Sequence, residues 1–146
     1  MDIQTSSENF KEKPKTEFKD SKYATGRRKK SIARVWLKKG SGSISINGKK
    51  MIDYFKKPNL QLSMCRPLAL TKRLNEYDVK CTVSGGGSSG QAGAITLGIA
   101  RALIEFEPDL KPALKKEKLT TRDSRTVERK KYGHRKARRS FQFSKR

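Results

Sequence analysis

Residues 77–94, YDVKCTVSGGGSSGQAGA, decide the fold because they join a strand pattern, a glycine turn and the start of a helix. Apolar and polar residues alternate over 77–83, which is the period of a half-buried strand. Beyond the glycines, apolar residues recur at helical spacing, at Ala92, Ile95, Ile99, Ala102, Leu103 and Phe106. A flank of small residues follows the same helix, at Gly93, Ala94, Gly98 and Ala100. The pattern predicts a strand over 77–83 and, packed closely on its sheet, a helix over 91–106.

The flanking segments extend this to an α+β domain. Residues 31–37 and 43–46 are rich in β-branched and aromatic residues or alternate, which predicts a hairpin with a five-residue loop. The remaining predicted elements are a tight turn at Asn47-Gly48, one or two helical turns over 51–55 before Pro58, a helical segment over 60–65 up to Pro67, a short helix over 110–114 and a weakly indicated strand over 125–128. The body is therefore predicted to have two layers.

The charge distribution divides the chain into three parts. The 146 residues include 36 Lys and Arg against 14 Asp and Glu, a formal net charge of +22. Fourteen of these bases and three of the acids lie in residues 115–146, which therefore carry half of the net charge. We predict a polar extension over 1–22, a globular body over 23–118 and a basic tail over 119–146. Such a charge needs a polyanionic partner and is unusual for a free soluble enzyme.

The last eighteen residues are typical of a nucleic-acid-binding tail. Residues 129–146 hold nine bases, no acid, and the rings of Tyr132, Phe141 and Phe143. Because this segment has little apolar surface to offset its ordering entropy, we expect it to order against a partner that offers phosphates and flat rings. RNA offers both.

The amino-terminal extension and the cysteines restrict the cellular setting. Residues 1–22 contain five acids, no arginine and no hydrophobic stretch, so they match neither a secretory signal nor a mitochondrial presequence and are expected to be disordered or extended. Cys65, Cys81 and the single His134 form no metal-binding spacing, and we predict reduced cysteines with no disulfide and no metal. If the protein works in a mitochondrion, we expect that it is made inside the organelle or that the residue numbering begins after a presequence has been cleaved.

The glycine turn also fits two nucleotide-binding motifs. Gly85–Gly90 satisfies G-x-G-x-x-G with Asp109 further on, but too little chain follows for a dinucleotide-binding half. A P-loop would need Lys and Ser or Thr where Gln91-Ala92 stand. Two alternatives remain: free N–H groups at the helix start that bind an RNA phosphate, or a purely structural turn. No cofactor is predicted.

Several residues have simpler interpretations than catalysis. His134 has no nucleophile or carboxylate near it in sequence and is interpreted as an RNA-facing ring. Asp123 and Glu128 lie among arginines and are predicted to be ion-pair partners that fix arginine geometry. Trp36 is interpreted as a core anchor in preference to a stacking platform. No catalytic set is predicted, so the chain is not expected to be an enzyme.

Five ordered motifs resemble those of one protein family. They are Tyr23–Lys29, Arg34–Trp36, Thr82–Gly87 with Ser89–Ala94, Thr121–Arg125 and Glu128–Gly133, followed by a matching end over Lys136–Arg146. In these motifs the chain resembles ribosomal protein S9 of the small subunit, in its bacterial or organellar form. The resemblance implies a two-layer α/β sandwich of the ribosomal S5 domain 2-like type. It also implies location on the small ribosomal subunit, in the bacterial cytoplasm or in a mitochondrion.

The resemblance implies specific partners. They are the ribosomal RNA of the subunit head, neighbouring head proteins and the anticodon stem-loop of peptidyl-site transfer RNA, with no membrane and no small-molecule substrate. Lys145 and Arg146 are the candidate contacts to transfer RNA. The resemblance, the glycine loop and the charge pattern together give these candidate contacts to ribosomal RNA: Arg27, Arg28, Lys29, Lys30, Gly86, Gly87, Gln91, Arg122, Arg125, Arg129, Lys130, Lys131, Tyr132, Arg135, Lys136, Arg138, Arg139 and Phe141.

Two other classes of function share part of this sequence pattern. A nucleoid-type DNA-binding protein would share the charge, but architectural DNA binders use basic helices or paired arms, whereas this chain leads into a single tail. An RNA-modifying enzyme would need a nucleophile, an acid/base pair or a cofactor site.

Overall fold

A computed structural model describes residues 20–145 of the chain. Most of the predicted amino-terminal extension and the terminal Arg146 lie outside this range. The described elements are β1 (Lys22–Arg28), β2 (Ser31–Lys39), β3 (Ile44–Ile46), β4 (Lys49–Lys50), α1 (Met51–Tyr54), α2 (Pro58–Leu70), β5 (Tyr77–Ser84), α3 (Ser88–Phe106), a 3-10 turn (Pro108–Leu110) and α4 (Lys111–Lys116). Helix α3 thus begins three residues before its predicted start.

The strands form one mixed sheet in the order β1-β2-β5-β3-β4. All neighbouring strands are antiparallel except β3 and β5, which are parallel and connected through α1 and α2. One face of the sheet is buried and carries alternate apolar residues, among them Ala33, Val35 and Leu37 of β2. The predicted two-layer α+β architecture is confirmed.

Helix α3 packs on this buried face and forms the centre of the core. All residues of its apolar stripe and small flank are buried except Gly93 and Phe106, which are partly buried, because β1 and β2 lie on one side and α2 on another. Gly98 faces Val35, and a methyl group added to Gly98 would overlap that side chain. The predicted close approach of helix and sheet is therefore present. Within residues 20–145, no helix is long and apolar enough to cross a membrane.

The predicted hairpin between 31–37 and 43–46 is wrong. Strand β5 lies between β2 and β3, so these segments never pair with each other. The connecting loop instead passes the end of β5, where one carboxylate oxygen of Asp78 accepts hydrogen bonds from the backbone N–H groups of Ser41 and Ser43 at 2.9 and 2.8 Å. The buried alternation of β5 favours a central position in the sheet, which the local loop pattern did not reveal.

Two further predictions at the proline and the tail need correction. Helix α2 continues through Pro67, which removes the donor that would bond the Ser63 carbonyl. That carbonyl is satisfied instead by the Thr96 hydroxyl of α3, at 3.1 Å. The predicted strand over 125–128 is absent, because this exposed segment has no neighbouring strand with which to pair.

The Asn47 side chain extends the pairing of β3 beyond the end of that strand. It accepts a hydrogen bond from the Val83 N–H at 2.9 Å and donates one to the Val83 carbonyl at 2.9 Å. Asn47 also has φ of +50°, a left-handed conformation that asparagine tolerates better than most residues. The side chain therefore replaces a backbone pair at Val83, beyond the point where β3 ends.

We expect Asn47→Ala to lower the free energy of unfolding by about 2 kcal/mol, because two part-buried backbone groups lose their partners. Urea titration followed by circular dichroism measures the change. Asn59→Ala, at an exposed position of α2, is the matched control and should change stability by less than about 0.5 kcal/mol. Equal losses in the two variants would contradict the role of Asn47.

Candidate nucleic-acid interface

The predicted basic cluster and the predicted glycine loop lie side by side at one end of the sheet. Residues 27–30 form the end of β1 and its turn into β2, and the loop follows β5. The Ser31 hydroxyl donates a hydrogen bond to the Gly85 carbonyl at 3.0 Å. Gly85 and Gly86 have φ of +72° and +62°, and a methyl group at Gly85 would lie 2.5 Å from the Lys30 carbonyl. We call residues 27–30 and 85–87 the basic end.

The amino terminus of α3 opens at the basic end. Its N-cap residue is Gly87, with no side-chain hydrogen bond to the first turn and no atom that would contact an added methyl group. Uncapped N–H groups at a helix start are suited to a phosphate oxygen. Gln91 is bonded internally, since its amide nitrogen donates to the Gly85 carbonyl at 3.2 Å and its oxygen accepts from the Tyr54 hydroxyl at 2.8 Å. Its contact to RNA stays a prediction.

Asp123 ties the start of the tail to the basic end. Its carboxylate lies 3.2 Å from the Arg28 guanidinium and accepts hydrogen bonds from the Arg125 side chain at 2.9 and 3.0 Å and from the Arg125 N–H at 3.1 Å. These bonds to Arg125, aided by the charge of Arg28, hold the pKa of Asp123 well below its usual range. The three side chains border an open cleft of about 280 Å³ whose wall also includes Arg27.

A second acid organises the tail itself. Glu128 bonds the Lys131 ammonium and, at 2.9 Å, the Arg138 guanidinium, and the bonds to these two bases lower its pKa. The predicted ion-pair roles of Asp123 and Glu128 are therefore confirmed. The chain folds back on itself over residues 134–140, where an isolated antiparallel bridge joins His134 and Ser140. Both acids restrict arginines or lysines that would otherwise sample many rotamers.

The remaining tail side chains project outward. Tyr132 and Phe143 are fully or largely exposed, and the Arg135 guanidinium lies 5.4 Å from the centre of the Phe141 ring. The other predicted RNA contacts in the tail are exposed as well: Arg122, Arg129, Lys130, Lys136, Arg139 and Lys145. Arg146 lies outside the described residues. The geometry therefore offers a string of cations and rings with few internal partners for an anionic, ring-bearing ligand.

Trp36 corrects one interpretation from the sequence. It lies on the face of β2 opposite Ala33, Val35 and Leu37, so it is not a core anchor. Its ring packs 5.3 Å from that of Tyr23 across β1 and β2. The alternation of β2 already contained this signal, because the apolar partners of the core occupy the odd positions. Sequence reasoning also missed Ser31, which bonds the Gly85 carbonyl of the glycine loop, and Tyr54, which bonds the Gln91 side chain, because both contacts are distant in sequence.

Comparison with known protein families decides the identity. A family model described as ribosomal protein S9/S16 matches residues 26–146. The chain belongs to the ribosomal protein S9/S16 family. It is therefore a structural protein of the small ribosomal subunit and not an enzyme, and its partners are ribosomal RNA and other ribosomal proteins. Membership also implies the S5 domain 2-like form of the two-layer fold and sets aside the nucleoid-protein alternative. The S9/S16 match includes both the basic end and the whole tail.

Proposed function

We propose that this S9/S16 protein binds ribosomal RNA of the subunit head through the basic end and the tail, and that the last residues of the tail contact peptidyl-site transfer RNA. The observation that carries the proposal is the exposed tail: it has no acid after Glu128, and the Asp123–Arg28 ion pair joins its first residues to the basic end. One RNA molecule can therefore contact the basic end and the tail at the same time.

The body contact is proposed to use backbone phosphates. Arg27, Lys29 and Lys30 present exposed cations, and the open helix start at Gly86 and Gly87 presents N–H groups. Arg28 and Arg125 are held by Asp123 in fixed orientations, which lowers the entropy lost when they bind phosphate. Contacts of this kind fix the position of the protein on RNA without reading its sequence.

The tail contact is proposed to combine phosphate binding with stacking. Arg129, Lys130, Arg135 and Arg139 would run along ribosomal RNA, while the exposed rings of Tyr132 and Phe141 accept bases. The division into an extension over 1–22, a body over 23–118 and a tail over 119–146 is proposed with this function. It is supported by the start of β1 at Lys22 and by the exposed chain that follows Thr120.

The tip of the tail is proposed to bind the anticodon-loop backbone of transfer RNA. Lys145 is exposed and lies in the acid-free end of the chain together with Arg146. A site that accepts every transfer RNA has to contact phosphates instead of base edges, and lysine and arginine do so without sequence preference.

Deletion of residues 144–146 tests the tip directly. We expect transfer RNA to bind the peptidyl site of assembled mutant subunits about tenfold more weakly, because two charge-assisted contacts are lost. Filter binding of labelled transfer RNA to purified subunits measures the affinity, and sedimentation checks that the subunits assemble.

Two full-length variants separate charge from length. Lys145→Gln combined with Arg146→Gln should reproduce the loss, whereas Lys145→Arg combined with Arg146→Lys should bind like the unaltered protein because the charges remain. Unchanged affinity for transfer RNA in the deletion and in the double glutamine variant would refute the proposal for the tip.

A further inference from the structure

The sheet has a second face that neither the basic end nor the tail uses. Register places Tyr23 of β1, Trp36 of β2 and Lys80 of β5 in one row on this face, and Arg34 and Thr82 in the next. The core residues occupy the alternate positions and point to α3. We call the face that bears Tyr23, Arg34 and Trp36 the open face.

An aromatic and cationic cluster lies at the centre of the open face. The Arg34 guanidinium carbon lies 5.2 Å from the centre of the Trp36 ring and 5.8 Å from that of Tyr23, and its Nε donates to the Tyr23 hydroxyl at 3.2 Å. Tyr23 is 41% exposed and Trp36 is partly exposed. Two rings and an arginine left at a surface form the kind of platform on which nucleic-acid bases stack.

The charge of the open face selects an anionic partner. Four bases that do not belong to the basic end project from it, namely Arg34, Lys38, Lys50 and Lys80, and among the described strand residues Asp78 is the one acid on this face. The Asp78 carboxylate already accepts hydrogen bonds from two backbone N–H groups. The rest of the face carries the hydroxyls of Thr25, Ser45, Thr82 and Ser84 and one exposed aliphatic side chain, Ile32, so the face is too polar for a hydrophobic protein interface.

We propose that the open face is a separate RNA-binding surface, on which an unpaired RNA segment stacks one base on the Trp36 ring, beside the Tyr23 ring that is tilted 45° from it, and places phosphates at Arg34 and the neighbouring lysines. The proposal deepens the proposed function, from which it takes only RNA as the ligand class. It adds stacking residues on the body, where the other proposed contacts are to backbone phosphates.

Trp36 is the single tryptophan of the chain, and its fluorescence therefore reports on the open face alone. We expect a uridine 12-mer to quench the Trp36 emission of the full chain on binding, because a base stacks on the indole. Inorganic polyphosphate of equal charge should bind without this quenching. Anisotropy of a labelled 12-mer measures total binding, including that of the tail, in parallel.

Two charge variants locate the contact. Arg34→Gln should weaken the affinity derived from Trp36 quenching about fivefold, since one phosphate contact and one stacking partner are lost. Lys111→Gln, an exposed position of α4 on the helical side, removes the same charge and should leave that affinity unchanged. Binding of the 12-mer with unaltered Trp36 emission, or equal quenching by polyphosphate, would overturn the proposal.

Cross-linking in assembled subunits identifies the occupant. A photoreactive benzoylphenylalanine replacing the exposed Thr82 should form adducts with ribosomal RNA. Adducts with a neighbouring protein or with residues 1–19 of this chain would overturn the proposal. Failure here is separable from failure of the proposed function, because the transfer RNA affinity of the tail-tip variants does not depend on the open face.

Discussion

Gly26→Ala is expected to lower the free energy of unfolding by about 3 kcal/mol or more, although it adds a single methyl group. Gly26 is a buried residue of β1 that lies against α3. An added Cβ would fall on the Ala94 carbonyl oxygen and lie 2.6 Å from the backbone nitrogen of Gly98. Because both neighbours are main-chain atoms, no side-chain rotation relieves the overlap, and β1 and α3 have to separate.

The matched control for this substitution is Gly87→Ala. Gly87 has φ of −113°, which alanine adopts without strain, and nothing lies near an added methyl group. We expect this control to change the free energy of unfolding by less than about 0.5 kcal/mol. Urea unfolding of RNA-free protein, followed by circular dichroism, compares the two. Similar midpoints for both variants would show that helix and sheet are less closely packed than the structure has them.

The close contact at Gly26 illustrates what the sequence alone could predict. The small flank of α3 was evident in the helical periodicity, and it predicted a close approach to the sheet. The partner strand was not evident, because residues 22–28 contain a glycine followed by two arginines and show little alternation, so no strand was predicted there. Contacts between two segments about 70 residues apart leave no local pattern in either segment.

The order of the strands in the sheet was predicted wrongly for a similar reason. The loop between β2 and β3 looks like a hairpin connection, yet β5 lies between these strands, and its alternate residues Tyr77, Val79, Cys81 and Val83 are buried in the core. Local turn chemistry predicted the tight turn at Asn47-Gly48 correctly, since both residues have positive φ. Pairing across a distance depends on burial, which turn residues do not encode.

Some features of the candidate site could also be predicted from the sequence, and others depended on the fold. The chemistry of the tail was readable from composition, because nine bases and three rings without an acid exclude a buried core. The pairing of Asp123 with nearby arginines followed from local charge. Its contact with Arg28, which brings the first residues of the tail close to the basic end, could not be predicted from the sequence because it depends on the fold.

Deleting residues 129–146 is expected to reduce the salt dependence of RNA binding more than any other change. The deletion removes nine bases and leaves the Asp123–Arg28 ion pair in place. If all nine bases contact phosphates, the slope of log affinity against log salt concentration should become less steep by roughly six to eight, because each neutralised phosphate releases condensed counterions. Binding of head ribosomal RNA transcripts over a range of potassium chloride concentrations measures the slope.

A full-length variant distinguishes charge from stacking in the same tail. Replacing Tyr132, Phe141 and Phe143 by leucine should weaken binding about tenfold at every salt concentration while the slope stays unchanged, since base stacking releases no counterions. An unchanged slope after the deletion would mean that the tail cations do not meet phosphates. The body would then supply the electrostatic contact through the basic end, and the exposure of the tail would have no role in RNA affinity.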